Sequence, residues 1–282
     1  VHFLRHFSVL RLRALRRRLT LSSLLTTLSL LTGCLASTPG GQIAPAPTTA
    51  PSASEPAGGW TQIANGAEIR TLNPGGRYPF TQFTVLRLDP ARVTFRAHYR
   101  PGEPLTLAGW RAALPDAAGF INANFFDPQN NAVGLITTDG AQFGQSYFGR
   151  GGMFQVQNGT PRVRSLITEP YQGELLEQAV QAFPMLVTAG VPNYERTNGD
   201  RASRRTIVAQ DTDGRILLIV TNSLFGMTLA DLSQYLADSG LSIQNALNLD
   251  GGGSTMFALN GGESITIPSF DPVPAVLAFY LS

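Results

Sequence analysis

The chain has no lysine among its 282 residues, only one cysteine and only three histidines. Each scarcity removes a class of chemistry. A nucleotide-binding phosphate loop ends in Gly-Lys-Ser/Thr, so the glycine-rich turns here are of another kind. A lone cysteine, Cys34, has no partner in the chain for a disulfide. Two of the histidines, His2 and His6, precede Cys34, which leaves His98 alone in the rest of the chain. A histidine-rich zinc site is thereby excluded, and His98 reads as an ordinary strand residue. No Gly-x-Ser-x-Gly surrounds Ser254, so that serine is a poor candidate for an activated nucleophile. EF-hand spacing is also missing. The reading calls for no cofactor, although a divalent cation such as calcium or magnesium on the oxygens of Asp250 stays open. No internal repeat is apparent.

Positive charge is unevenly placed. Arg5, Arg11, Arg13, Arg16, Arg17 and Arg18 carry all the formal charge before Cys34. Without those six, 15 basic residues face 19 acidic ones, a net charge of −4. The excess of base is therefore confined to one end, and no nucleic-acid partner is expected. Leu19 to Leu31 is apolar but shorter than the ~20 residues of a spanning helix. Leu31-Thr32-Gly33-Cys34 resembles a bacterial lipobox, in which the cysteine becomes the acylated first residue of the mature protein. Residues 1–33 are expected to be a lipoprotein signal peptide and Cys34 the lipidation site; an ordinary secretory peptide cleaved nearby is the rival reading. Residues 34–59 hold Pro39, Pro45, Pro47, Pro51 and Pro56 among Ala, Ser, Thr and Gly, a composition that suits a semi-extended tether. The partner implied is a lipid membrane, and the location an exported, lipid-anchored one in the bacterial cell envelope.

Residues 60–282 are long enough to stand on their own core. Short apolar segments separated by Gly, Pro, Asn and Asp favour strands. Hairpins are expected for Thr81–Leu88 with Arg92–Tyr99, for Met153–Gln157 with Arg162–Leu166 about Asn158-Gly159, and for Arg205–Ala209 with Ile216–Val220. Phe257–Leu259 and Ala275–Leu281 read as further strands. A helix should begin at Thr228-Leu229-Ala230-Asp231 and end near Gly240 as its C′ residue; shorter helices are expected at Leu107–Leu114 and Glu174–Phe183. The fold class is α+β: a large mixed, mainly antiparallel β-sheet core with a few flanking helices. The element order around 205–250 leaves room for one parallel strand, which would bring Asp250 to a strand's carboxyl end, where open sheets bind ligands.

The densest chemical signal is Leu247-Asn248-Leu249-Asp250-Gly251-Gly252-Gly253-Ser254-Thr255. A buried strand delivers a carboxylate, and three residues without Cβ follow. Amides of Gly251, Gly252 and Gly253 could cradle an anion, with Ser254 and Thr255 as short donors; the plainer reading is a tight turn. Asn122 and Asn124 lie two apart on one strand face, either as a polar network or as contacts for sugar hydroxyls. Of Arg204 and Arg205, which should face opposite ways, at most one can present its planar fork to phosphate oxygens. Asn222 follows the next strand.

Together these segments resemble the phosphodiester glycosidase family. Leu247–Thr255 resembles its aspartate–glycine signature, and Ile121-Asn122-Ala123-Asn124-Phe125-Phe126-Asp127 its Asn-centred aromatic motif. Arg205-Thr206 opens a strand followed by an Asp-Gly turn, as in the family, and Gly226-Met227-Thr228-Leu229 starts the helix before the aspartate strand. The likeness covers roughly residues 119–281. Members often carry glycines where this chain has Ala123 and Asn124. What the resemblance implies is hydrolysis of the glycosidic bond of a sugar-1-phosphodiester in envelope or extracellular glycans, including exopolysaccharide. On that reading Asp250 acts near the anomeric carbon as base, nucleophile or sugar anchor. Arg205 and the Gly251–Gly253 amides hold the phosphate, and Asn122 and Asn124 orient sugar hydroxyls, with Asn222, Ser254 and Thr255 also on the substrate side. Asp127 and Glu195 are candidates for a second carboxylate. Two other readings stand beside it: a non-catalytic, polysaccharide-binding surface lipoprotein, and a metal-dependent phosphodiesterase that cleaves the P–O bond.

Overall fold

The computed structural model describes residues 59–261 and 264–282. The expected signal peptide, Cys34 and the tether up to its last residue lie outside the described residues. Three sheets carry the fold. The largest has eight strands in the order Thr61–Ala64, Ala67–Leu72, Phe83–Leu88, Ile216–Thr221, Thr206–Asp211, Ile243–Asn248, Met185–Thr188 and Val191–Pro192. A second sheet has five: Ile265–Ile267, Phe257–Leu259, Gly119–Asn122, Ala275–Leu281 and Val93–Tyr99. The third also has five: Thr160–Ser165, Gly152–Gln157, Gln178–Ala182, Ile136–Thr138 and Ala141–Phe143. Every pairing within these sheets is antiparallel. The strand before Asp250 runs antiparallel to both neighbours, so the parallel pairing considered for it is not formed.

Period-two alternation explains the layers. In Val93–Tyr99, Val93, Phe95 and Ala97 point inward and Thr94 and Arg96 outward. Inward residues of all three sheets meet in one core that includes Leu86, Phe95, Ile121, Phe154, Val208, Leu247 and Phe279. The large sheet is buried on its other face too. There the helix Leu229–Ala237 sets Leu232 and Leu236 against Val85, Ile219 and Ala246. Such double burial is why Ile216–Thr221 is an unbroken apolar run rather than an alternating one. The helix Leu107–Ala113 covers the outer face of the second sheet, with Trp110 packed among Phe120, Val276 and Ala278.

Two of the three expected hairpins form. Asn158 (φ 51°) and Gly159 (φ 73°) take the positive dihedrals of a two-residue turn between Gly152–Gln157 and Thr160–Ser165. Thr206–Asp211 and Ile216–Thr221 pair about Asp213-Gly214. The third is a correction. Phe83–Leu88 already has a neighbour on each edge, Ala67–Leu72 and Ile216–Thr221, so Val93–Tyr99 pairs instead with the C-terminal strand. Its turn, closed by Arg92 N–H donating to the Asp89 carbonyl at 2.9 Å, passes the chain from one sheet to another.

The helix expected over Glu174–Phe183 is also a correction: Gln178–Ala182 is a central strand. Its Ala and Gln content favours helix, but tertiary context overrides propensity. All five residues are buried, and the two glutamine side chains bond the backbone of neighbouring segments, one of them in the second sheet. Gln178 Oε1 accepts from Ala97 N–H (3.0 Å) and Gln181 Oε1 from Leu135 N–H (2.8 Å).

The helix at Thr228 forms as read. Thr228 Oγ1 accepts from Asp231 N–H at 3.2 Å, and the helix ends at Asp238, placing Gly240 one residue beyond C′. A second cap was not visible in sequence. The buried Asp200 carboxylate accepts from Leu229 N–H (2.8 Å) and Ala230 N–H (3.0 Å), an acceptor at the positive end of the helix. It ties the 194–205 loop to the helix. Asp200→Ala should therefore destabilise the protein by about 1–2 kcal/mol, read as a lower thermal midpoint, whereas Asp213→Ala, at an exposed turn, should leave the midpoint nearly unchanged.

Candidate active site

The strand Ile243–Asn248 ends beside the start of Thr206–Asp211, with Asn248 opposite Ile207. Asp250 follows that end. Its N–H donates to the Ala123 carbonyl (3.1 Å) and its carbonyl accepts from Asn122 Nδ2 (2.7 Å). Strand and turn are thus fastened to the second sheet, and the Asp250 side chain stands at a cleft of about 410 Å³. Phe125, Phe183, Tyr194, Ser203, Arg205, Asn248, Gly251 and Gly252 share its wall. A second chamber, also about 410 Å³, shares Tyr194, Ser203 and Arg205 and extends to Asp200 and Arg201. A larger hollow of about 550 Å³ beside Arg96 and Asp139 contains none of the predicted site residues.

Burial pushes the Asp250 carboxyl above its ordinary value. The Ser254 hydroxyl and the Gly251 N–H work against that shift, while the nearby Asp271 carboxylate adds to it. A half-buried carboxyl with a raised pKa at a cleft is what acid–base chemistry requires. Asn248, 3% exposed, donates through Nδ2 to the Phe183 carbonyl (3.1 Å), but its Oδ1 has no partner among the described residues. An unpaired buried acceptor in a cleft wall is a place for a ligand donor.

Asn122 and Asn124 have structural tasks rather than free faces. Asn122 is 1% exposed. Besides the bond to Asp250, its Oδ1 accepts from Thr206 Oγ1 (2.7 Å) and Met256 N–H (3.0 Å). Asn124, 2% exposed, donates through Nδ2 to the Leu135 and Gln181 carbonyls, both at 3.1 Å. Both are the polar network, and neither lines the cleft. Asn222 is also outside it, with Nδ2 on Thr84 Oγ1 at 3.0 Å.

The three glycines differ from an anion cradle. Gly251 N–H donates to the Asp250 carboxylate (2.8 Å) and Gly252 N–H to the Arg204 carbonyl (2.9 Å), so two of the three amides are engaged within the protein. Close approach is what requires glycine here. A Cβ on Gly251 would lie 2.8 Å from the Arg204 carbonyl oxygen, and one on Gly253 2.0 Å from Asp271 Oδ2; Gly252 has φ +62°. Ser254 sits against the Asp250 carboxyl, and Thr255 is fully buried with Oγ1 unpaired among the described residues.

Arg204 and Arg205, just before the strand Thr206–Asp211, diverge as expected. Arg205 reaches the cleft, although Nε donates to the Met227 carbonyl (3.1 Å), Nη2 to the Arg201 carbonyl (2.7 Å), and Asp200 lies 3.8 Å away. Burial lowers its pKa and Asp200 opposes that. Arg204 turns to the Pro268 carbonyl (3.1 Å) and the Phe270 ring (5.0 Å). Asp127 is a partly exposed turn residue whose carboxylate accepts from Asn131 and Gln129 and is held low by them, and Glu195 is exposed outside the cleft wall. Asp271 is the carboxylate that sequence reasoning missed; nothing local marked it, since its nearness to Asp250 arises from the 268–271 turn folding onto Gly253. Asn248 could have been found, because it lies two residues before Asp250 in the same motif. Among the described residues, no three His, Cys, Asp or Glu side chains group as a metal-binding set.

The sequence model of a family described as phosphodiester glycosidase matches residues 116–280. No curated protein sequence matches the chain significantly. Among solved structures, the catalytic domain of zebrafish N-acetylglucosamine-1-phosphodiester α-N-acetylglucosaminidase, auto-inhibited by its pro-peptide, is similar at a TM-score of 0.61 and 19% identity, over 82% of this chain and 86% of that one. A hypothetical protein from Synechocystis is similar at a TM-score of 0.57 and 17% identity, over 82% of this chain and 65% of that one. These two likenesses establish a shared fold.

The raised Asp250 pKa carries a stability consequence. A carboxyl whose folded pKa exceeds its unfolded one contributes stability that is fully present below the unfolded value and is lost as pH rises through the folded value. Above the ordinary carboxylate range the burial of Asp250 therefore costs stability. Asp250→Asn should melt higher than the wild type at pH 7, with the gap narrowing as pH falls to the ordinary carboxylate range; a gap independent of pH would contradict this account.

Proposed function

This chain belongs to the phosphodiester glycosidase family, and we propose that it hydrolyses the glycosidic bond of a sugar-1-phosphodiester in envelope or extracellular glycans, such as exopolysaccharide. The observation that carries the reading is Asp250: a half-buried carboxyl with a raised pKa, at the junction of two sheets and open to a cleft. In the proposed reaction a water oxygen bonds to the anomeric carbon as the bond from that carbon to the phosphate oxygen breaks. The electron pair leaves with the phosphomonoester, and the water's proton passes to a carboxylate. A phosphomonoester departs readily without full protonation, so the larger demands are charge stabilisation and a base or nucleophile beside an oxocarbenium-like centre. Asp250 fills the second role. Arg205, in the wall of both chambers, adds positive potential. Phe125 and Phe183 line the cleft with apolar aromatic surface against which a sugar ring can pack. Attachment to a membrane through acylated Cys34 completes the proposal; mass spectrometry of the native protein should find that residue as an acylated N-terminus.

Release of the phosphomonoester from an aryl phosphodiester of N-acetylglucosamine, the sugar in the zebrafish neighbour's name, tests the activity directly. The wild type should turn it over and Asp250→Asn should lose about 10²- to 10⁴-fold. Hydrolysis in ¹⁸O-labelled water should place the label in the sugar; label in the phosphate would mean P–O cleavage. A wild type that binds envelope polysaccharide and shows no turnover across sugar phosphodiesters would favour the binding-protein reading instead.

A further inference from the structure

We infer that Arg150 is a specificity-determining residue of this cleft, the guanidinium that recognises the substrate's phosphate. The inference rests on the proposed reaction for its ligand. The substrate carries a negative charge, yet the arginines nearest Asp250 are largely committed. Arg205 gives Nε and Nη2 to backbone carbonyls, and Arg204 is directed to Pro268 and Phe270. Two of the three amides expected to cradle an anion are also engaged.

Arg150 is different. It forms no hydrogen bond or ion pair with the described residues; its contacts are two aromatic rings. The guanidinium carbon lies 4.7 Å from the centroid of Phe183 and 4.5 Å from that of Tyr147. Phe183 is itself a wall of the cleft that holds Asp250, so this cation stands one ring away from it. Stacking on rings holds the guanidinium plane and leaves the N–H fork at its edge free. That fork matches the paired oxygens of a phosphate.

The platform is fixed. Tyr147 donates its hydroxyl to the Val133 carbonyl (2.7 Å) and its N–H to Gln181 Oε1 (3.1 Å). Gln181 is wholly buried. The Tyr147 ring edge meets Phe183 at 5.6 Å between centroids, and Phe125 stacks on Phe183 at 4.7 Å. Of the residues flanking Arg150, Gly151 makes the close backbone contact. Gly149 and Gly151 have φ of +65° and +71°, and a Cβ on Gly151 would lie 2.2 Å from the Ala182 carbonyl oxygen. Gly151 is thus pressed against the strand that leads to Phe183. An ordinary solvated arginine needs neither the pinned ring nor the close backbone approach.

The test compares wild type with Arg150→Met and Arg150→Lys. Arg150 is exposed, so both variants should melt with the wild type. With the aryl phosphodiester, Arg150→Met should raise KM about 10- to 100-fold, Arg150→Lys should recover part of the loss, and the neutral aryl glycoside of the same sugar should show no change in its turnover rate or KM. Equal losses on both substrates, or none on either, overturn the inference. A turnover-free arm separates it from the hydrolase reading. Inorganic phosphate and N-acetylglucosamine 1-phosphate are titrated while the arginine Nε–H signals are followed by NMR. The Arg150 signal should shift with either probe and the affinity should fall at least ~10-fold in Arg150→Met. A shift without turnover retains the anion site and removes the hydrolase; no shift with either probe removes the site.

Discussion

One buried carboxamide holds the candidate site together. Asn122, at the end of a strand in the second sheet, bonds at once to the Asp250 carbonyl, the Thr206 hydroxyl and the Met256 amide. Those groups belong to the end of one strand of the large sheet, the beginning of its neighbour, and the turn that returns the chain to the second sheet. With an almost fully buried side chain, unmet partners would carry a desolvation penalty of roughly 1–3 kcal/mol each. The junction between the sheets is therefore specified by hydrogen-bond geometry as well as by apolar contact. Placement of the Asp250 backbone follows from it, and placement of its carboxyl follows from the backbone.

The glycines take on a different meaning against that junction. A phosphate nest would leave amides pointing outward, whereas Gly251 and Gly252 point theirs at the Asp250 carboxylate and the Arg204 carbonyl. What the sequence Gly251-Gly252-Gly253 provides is room. The turn passes within contact of the Arg204 backbone on one side and the Asp271 carboxylate on the other, and no side chain fits at either place. Asp250 is thereby kept half-buried beside a second acid, the two conditions that lift its pKa. The same compaction that raises the pKa also burdens the fold, a common exchange of stability for function.

Much of the scaffold could be read from local patterns because its causes are local. Asn158-Gly159 specifies a tight turn whatever surrounds it, and Thr228 caps a helix through a residue three positions away. Errors arose where the partner lay far off in sequence. Asp89-Pro90-Ala91 signals a reversal but says nothing of which strand the chain meets next, and Gln178–Ala182 is a strand only because two others flank it. The site divides in the same way. Asp250 and Arg205 were identifiable from their own segments. Asp271 and Arg150 are not, since one depends on a turn folding back onto Gly253 and the other on rings supplied by residues 147 and 183.

Asn124 links the Asp250 turn to the rings beneath Arg150. The sequence pattern places it with Asn122 on one strand face, but the strand ends at Asn122 and each amide braces a different segment. Asn122 secures the turn that bears the carboxyl. Asn124 donates to the Leu135 and Gln181 carbonyls, while the Gln181 side chain receives Leu135 and Tyr147 amides. Through that buried chain, Asn124 supports the ring on which Arg150 rests. The Ile121–Asp127 motif is thus informative for a mechanical reason. Two amides, spaced to straddle Ala123, fix an acid on one side and a cation's platform on the other. A glycine in place of Asn124 could make neither of its two side-chain bonds, and the buried link from this motif to the Tyr147 ring would be lost.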